Sequence, residues 1–354
     1  MLYYGGLLMS VNASCSLNKK MTQAFCKDQQ GFTLVELMIT LILGLLISAA
    51  VMQVYVANVR AVTLQEAGSS IIDSNVFGIP MLEDHVRLAS LGLAETINDT
   101  SNGSGIILTQ AGNLQDVKLN DDKEVPATLL TNTGDVKTTG SDNEWSASTA
   151  TDTPSGQLTI QFRAPQDMYD CEGNLALGPR KVAINKVEKV IDGQIIIERY
   201  YLNAQNTSKP NQLSLYCDAG RYINEDMDNY EDQGKTDKPS TVLTTKNRIE
   251  SFGDKGEVVI PHMDYFDILL GTRKSSDIRY YTVKEYTALT DKPDVISLKI
   301  GGIIRSNNIV QTSELANVFV VFGKDIKLRD NATDIEKKYL RFVFQNEIAL
   351  RNTR

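Results

Sequence analysis

From Leu37 to Val59 the chain runs 23 residues without a charge, LMITLILGLLISAAVMQVYVANV. At 1.5 Å per residue, a helix of about 20 such residues crosses the hydrocarbon core of a bilayer. The segment is apolar all round rather than along one stripe, so it calls for lipid or a wholly apolar protein surface. No comparable run occurs elsewhere in the sequence. Lys19, Lys20 and Lys27 precede it against Asp28 alone, and Arg60 follows it. This bias keeps the N-terminus in the cytoplasm and sends everything after residue 60 across the membrane. A cleaved secretory signal wants a shorter apolar core ending in a small-residue site. Ser48-Ala49-Ala50 is the nearest candidate, and the apolar pattern continues past it.

Glu36 stands at the cytoplasmic edge of this run, in GFTLVELM. An ionisable group there costs a few kcal/mol if fully immersed and normally finds a partner. A carboxylate resting among headgroups is the plain alternative.

The stretch Gly31-Phe32-Thr33-Leu34-Val35-Glu36 resembles the processing site of type IV prepilins. The resemblance implies cleavage between Gly31 and Phe32 by a prepilin peptidase, then N-methylation of Phe32. It makes Glu36 the fifth residue of the mature chain, an assembly residue whose carboxylate meets the N-terminal amine of another subunit. Residues 1–31 are then a leader. Met21 offers a second start that leaves only MTQAFCKDQQG ahead of the cut, and Cys15 and Cys26 receive no role.

Beyond the apolar run, Ile72, Ile79, Leu82, Val86, Ala89 and Leu93 recur at helical spacing. Pro80 disfavours helix at the residue before it, so a kink or fresh start is expected there. The pattern predicts one long helix from Phe32 to the high seventies and a shorter piece to about Leu93. Asn98 to Gly105 reads as loop, and residues 131–156 as a polar excursion with Trp145 its one large apolar group. Leu158, Ile160 and Phe162 alternate with Thr159, Gln161 and Arg163, predicting a half-buried strand. Lys181–Ile191 and Gln194–Leu202 flank Asp192-Gly193, which predicts a two-residue hairpin. Val295–Ile304, Val318–Phe322 and Tyr339–Leu350 are further strand candidates. Helices first and strands later argue α+β with an antiparallel sheet. The expected organisation is a leader (1–31), an N-terminal helix (32–94, membrane-spanning over 37–59) and a β-rich periplasmic domain (95–354), a pilin-like fold.

Three weaker blocks extend the resemblance. Arg87–Gly92, the ISLKI…IIRS of residues 296–306 and Arg341–Asn352 are similar to the PilW family of large minor pilins. That family implies a low-copy subunit that primes pilus assembly and sits in a tip complex. Its implied partners are other minor pilins, the major pilin and a large adhesin-like tip protein, with the inner membrane as its first location. No proline interrupts the membrane helix near residue 53, where major pilins carry one. The rival readings are a type II secretion pseudopilin, a pilus-displayed module binding a surface or DNA, and an ordinary unprocessed membrane-anchored protein.

Cys171 and Cys217 are the only cysteines after Gly31. Periplasmic topology permits a disulfide between them, worth about 3–4 kcal/mol in the chain-entropy model. Two free buried thiols are the alternative. Asp226, Asp228 and Asp232 cluster acids as calcium loops do, without the glycine and terminal Glu of an EF-hand; a solvated acidic loop is preferred. No metal or other cofactor is expected. The sequence holds two histidines, His85 and His262, no G-x-S-x-G, no P-loop and no H-E-x-x-H, so no catalytic residue is assigned. A net charge of −8 disfavours nucleic acid as partner.

Overall fold

The computed structural model describes residues 32–133, 150–204, 212–227, 230–231, 243–274, 277–311, 315–329, 332–333 and 335–350. Contacts divide the chain into two units, one through Val56 and one from Ala57 on.

The first unit holds the start of helix α1, Leu34–Asp73. Thr33 opens it: its Oγ1 accepts the Glu36 N–H at 3.2 Å and its carbonyl accepts the Leu37 N–H. The first satisfies an orphan donor of the helix start, and the second is the first bond of the helical ladder. From Phe32 to Val56 all side chains are exposed, Leu34 and Leu45 among the most so. The helix is long and apolar enough to cross a membrane.

In the second unit α1 acquires an inner face. Ala67, Ile71, Ser74 and Gly78 are buried at steps of four, three and four, whereas Ile72, Val76 and Phe77 stay exposed. Ser74–Gly78 form one wide π turn, followed by α2, Ile79–Arg87, with Pro80 in its first turn. The expected break at Pro80 is therefore a widened turn, with Gly78 still helical at φ −73° and ψ −47°. A π turn ahead of proline accommodates the missing donor and the ring without ending the helix. Helix α2 stops at Arg87, short of the expected Leu93, because Ser90 and Gly92 turn left-handed, at φ 69° and 65°.

Two antiparallel four-stranded sheets follow. The first contains β1 (Leu158–Arg163), β4 (Ile195–Ala204), β5 (Leu213–Tyr222) and β6 (Glu257–Ile260), in the order β6-β5-β4-β1. Between β1 and β4 stands a separate hairpin, β2 (Arg180–Ile184) and β3 (Val187–Ile191). The second sheet contains β7 (Met263–Lys274), β8 (Asp277–Tyr281), β9 (Val295–Ile309) and β12 (Tyr339–Ala349), in the order β8-β7-β9-β12. A small hairpin, β10 (Val318–Val321) and β11 (Lys324–Lys327), packs Phe319, Val321 and Ile326 against Tyr265 and Ile303. One core joins α2 to both sheets: Ile79, Leu82 and Val86 meet Leu158, Phe162 and Leu215 and also Phe266, Ile300 and Ile348.

Two sequence expectations change. Asp192-Gly193 is not a hairpin tip; β3 turns back on β2 through Asn185 and Lys186, both left-handed at φ 52° and 62°, as a tight hairpin requires. Gly193 is needed for closeness instead, since a Cβ there would lie 2.0 Å from the Ala164 carbonyl oxygen. Nor is β1 half-buried: Thr159 and Gln161 are fully covered. Residues 104–131 lie over that face, and the Ile107 N–H donates to the Thr159 carbonyl. Ile107, Leu114, Val125 and Leu130 form a second core there with Ile195 and Ile197. The polar groups of β1 bond into the cover, Thr159 Oγ1 to the Leu129 carbonyl and Gln161 Nε2 to the Ser104 carbonyl. Trp145 lies outside the described residues.

Candidate functional site

Glu36 occupies the first turn of α1, where a carboxylate is favoured by the positive end of the helix dipole. Phe32, Val35 and Leu37 around it are exposed, Phe32 at 80%. Among the described residues no basic group pairs with Glu36, so its carboxylate is open to a cation on another molecule. Gly31 lies outside the described residues. The head of the chain thus presents one acid at the start of a helix that carries no further charge until Arg60.

Cys171 and Cys217 are bonded to each other, with Cα atoms 6.1 Å apart. Cys217 is fully buried on β5 and faces the main core with Leu213 and Leu215. The bond lies beside Glu198, a fully buried carboxylate at the centre of β4. Glu198 accepts from the Cys171 N–H at 3.0 Å, from Tyr200 Oη at 2.8 Å and from His85 Nδ1 at 2.8 Å. One carboxylate therefore gathers α2, the disulfide loop and the sheet. Burial pulls the His85 pKa down, but the bond to Glu198 and its charge outweigh this and hold it above the ordinary value. His262 sits elsewhere, beside Arg305, where burial and that positive charge lower its pKa.

Two further buried charge groups hold the sheets. Arg199 and Asp218 pair at 2.9 Å with both side chains fully covered, and the guanidinium stacks 3.9 Å from the Tyr201 ring. In the second sheet Asp264 bridges Arg305 at 3.1 Å and Arg341 at 2.8 Å. The sequence signal for the first pair was Glu198-Arg199 inside the apolar run of β4, a place where charges persist only when partnered.

Carboxylate oxygens of Glu172, Asp218 and Asp254 converge within 4.8 Å of one another. Arg199 already supplies a cation at that place. Burial, with the neighbouring acids, pushes Glu172 up to about 7. Cys171, Glu198 and Cys217 also converge, but both sulfurs are spent in the disulfide. Of the acidic run considered for calcium, Asp228 and Asp232 lie outside the described residues and Asp226 is exposed. The Nδ1 of His85 is committed to Glu198.

Comparison with known proteins bears on the head of the chain. Residues 26–52 match the family model for the prokaryotic N-terminal methylation motif. Among solved structures, the chain is similar to a type IV-like pilin from Thermus thermophilus at 12% identity, over 56% of this chain and 79% of that one, with a TM-score of 0.25. No curated protein matches. The chain therefore carries a prokaryotic N-terminal methylation motif at the head of a long apolar helix that continues into α2, which packs on antiparallel sheets.

Proposed function

We propose that the chain is a type IV minor pilin of the PilW kind, a structural subunit rather than an enzyme. Its leader, residues 1–31, is removed between Gly31 and Phe32, and Phe32 is then N-methylated. The helix of residues 32–94, spanning the inner membrane over 37–59, holds the subunit with its N-terminus in the cytoplasm and the 95–354 domain in the periplasm. On assembly the apolar helix leaves lipid for the filament core, and Glu36 neutralises the terminal amine of a neighbouring subunit. In the pilus the subunit belongs to the tip complex, with other minor pilins, the major pilin and an adhesin-like tip protein as neighbours. The observation that carries this reading is the methylation motif at residues 26–52, laid over an exposed apolar helix with one acid in its first turn.

Mass spectrometry of the N-terminal peptide from native membranes tests the processing step. The expected peptide starts at Phe32 and carries one added methyl group. An intact leader overturns the proposal in favour of a plain membrane-anchored protein. Affinity capture of the processed chain should then recover pilus components; recovery of type II secretion components instead would assign it to that machine.

A further inference from the structure

The two main sheets have four edges, and three of them are closed to a further strand. Residues 104–131 bond along β1, β6 is four residues long with a bulge after Val258, and β8 is five residues long with Asp277 and Arg279 exposed. Covered, short, bulged or charged edges are how folded proteins avoid pairing with other chains. The fourth edge, β12, is eleven residues long, YLRFVFQNEIA, with no lysine, no proline and no bulge from Arg341 to Ala349. Its two charges are spent inside the domain, Arg341 on Asp264 and Glu347 on Tyr280 and Lys299. The Leu350 N–H donates to the Ile296 carbonyl, one step beyond the paired Ala349 and Ser297. Bonded pairs of an antiparallel ladder recur at every second residue, so the even-numbered residues of β12 bond to β9. Arg341, Val343, Gln345, Glu347 and Ala349 turn their backbone groups outward, and among the described residues no strand takes them.

The flanks of this edge are apolar. Phe342 is 43% exposed, and Val318 and Val320 on β10 are 45% and 53% exposed. Strand β10 lies beside the edge, because the Val320 carbonyl accepts from Gln345 Nε2 and the Phe322 N–H donates to Gln345 Oε1. An open ladder fits another strand, and an antiparallel edge is its own complement across a two-fold axis. Centred on Gln345, such pairing sets Arg341 against Ala349 and Val343 against Glu347 of the second copy. All five outward residues then pair and no like charges meet. Exposed Phe342 falls opposite Ile348 of the second copy, in one of the close, non-bonded pairs. Centred on Glu347, two carboxylates would oppose each other, which destabilises a pair; centred on Val343, Ala349 would lie beyond the partner strand. A helix apolar enough to cross a membrane would also hold copies in one plane and raise their effective concentration. We propose that β12 pairs antiparallel with β12 of a second copy of this chain, Gln345 against Gln345, so that two second sheets become one. The pair is closed and takes no third copy, and it stands whether or not the chain later enters a pilus.

The full chain in excess detergent tests this by sedimentation velocity over about 1–100 µM, a range that brackets a micromolar Kd, with hydrogen exchange followed over residues 339–350. The expected result is a concentration-dependent dimer in which the Val343, Gln345 and Glu347 amides exchange about tenfold more slowly than in the monomer. Gln345→Lys sets two ammonium groups face to face at the axis and should weaken the dimer roughly fivefold. Gln345→Ala loses the same bonds to Val320 and Phe322 without adding charge, and should leave the dimer within about twofold of the parent. Association that Gln345→Lys leaves unchanged would come from the apolar helix instead and overturns the proposal. A monomer throughout the range, or a dimer whose edge amides stay unprotected, does the same. Edge protection that appears only on adding native membrane extract would give β12 to a foreign strand, and it too overturns the pairing of two copies.

Discussion

Glu172 is half-buried beside Asp218 and Asp254, and its Oε1 accepts the Ala219 N–H at 3.2 Å. Burial first, then the neighbouring acids, raises its pKa from 4.5 to about 7. Because the folded value lies above the unfolded one, the folded state holds its proton longer. The resulting stability is present below about 4.5 and is lost as pH rises through about 7. Gln keeps the acceptor oxygen and removes the charge, so Glu172→Gln should melt higher than the parent at pH 8 and close to it at pH 4.5. Thermal melts across that range check this; equal shifts at both ends would show that the cluster exerts no such penalty. His85 titrates in the same sense, its stabilising bond to Glu198 weakening as pH rises through its raised pKa.

At the scale of elements, the helix depends on a residue with no side chain. A Cβ on Gly78 would lie 2.6 Å from Cγ1 of Ile260, which is fully buried and cannot swing aside. Gly→Ala in a helix ordinarily gains about 1 kcal/mol, whereas overpacking a core costs about 1–3 kcal/mol. Gly78→Ala is therefore expected to destabilise by about 1 kcal/mol, read from denaturant melts; a gain would mean that the helix sits loosely on β6. The strand runs and the stripe Ile79, Leu82, Val86 were legible because their periods are local, whereas Ile72, expected on that stripe, is exposed and Ile71 takes the inner face. The β2–β3 turn was not legible, since Asn185-Lys186 carries no glycine, while Asp192-Gly193 has turn-like residues for a different reason, the close Ala164 carbonyl. Likewise the cover over β1 was hidden, because Thr159 and Gln161 look solvent-facing until residues 104–131 supply their partners. The Glu198 junction was illegible for a further reason: its members come from residues 85, 171, 198 and 200, and only the fold brings them together.

For the whole molecule, the proposed pilin role assigns separable tasks to the exposed apolar helix and the sheet domain. Glu36→Ala should leave membrane insertion intact, since the 23-residue span is untouched, and should strongly reduce recovery of the subunit in sheared pili. Quantitative immunoblots of membrane and pilus fractions check this, and unchanged pilus content would remove the role given to Glu36. In the sheet domain, reducing the Cys171–Cys217 bond should cost about 4 kcal/mol by loop-closure entropy. Urea melts with and without reductant measure it; coincident curves would mean the bond adds nothing to the packing around it.

The ties of α2 have a mechanical consequence. Glu83 accepts a hydrogen bond from Asn346 on β12, and His85 bonds Glu198 on β4, so a load carried along the helix is shared by a strand of each sheet. On the β4 side, the cystine short-circuits the chain across a separation of 46 residues. Fully drawn out at about 3.3–3.6 Å per residue, that segment would add about 150 Å of slack. With the bond closed, the slack is withheld from any pull on the domain's ends. The β7–β9–β12 side has no such tether among the described residues, so under tension it is the half that should yield first, and reduction should lengthen the extension released from the other.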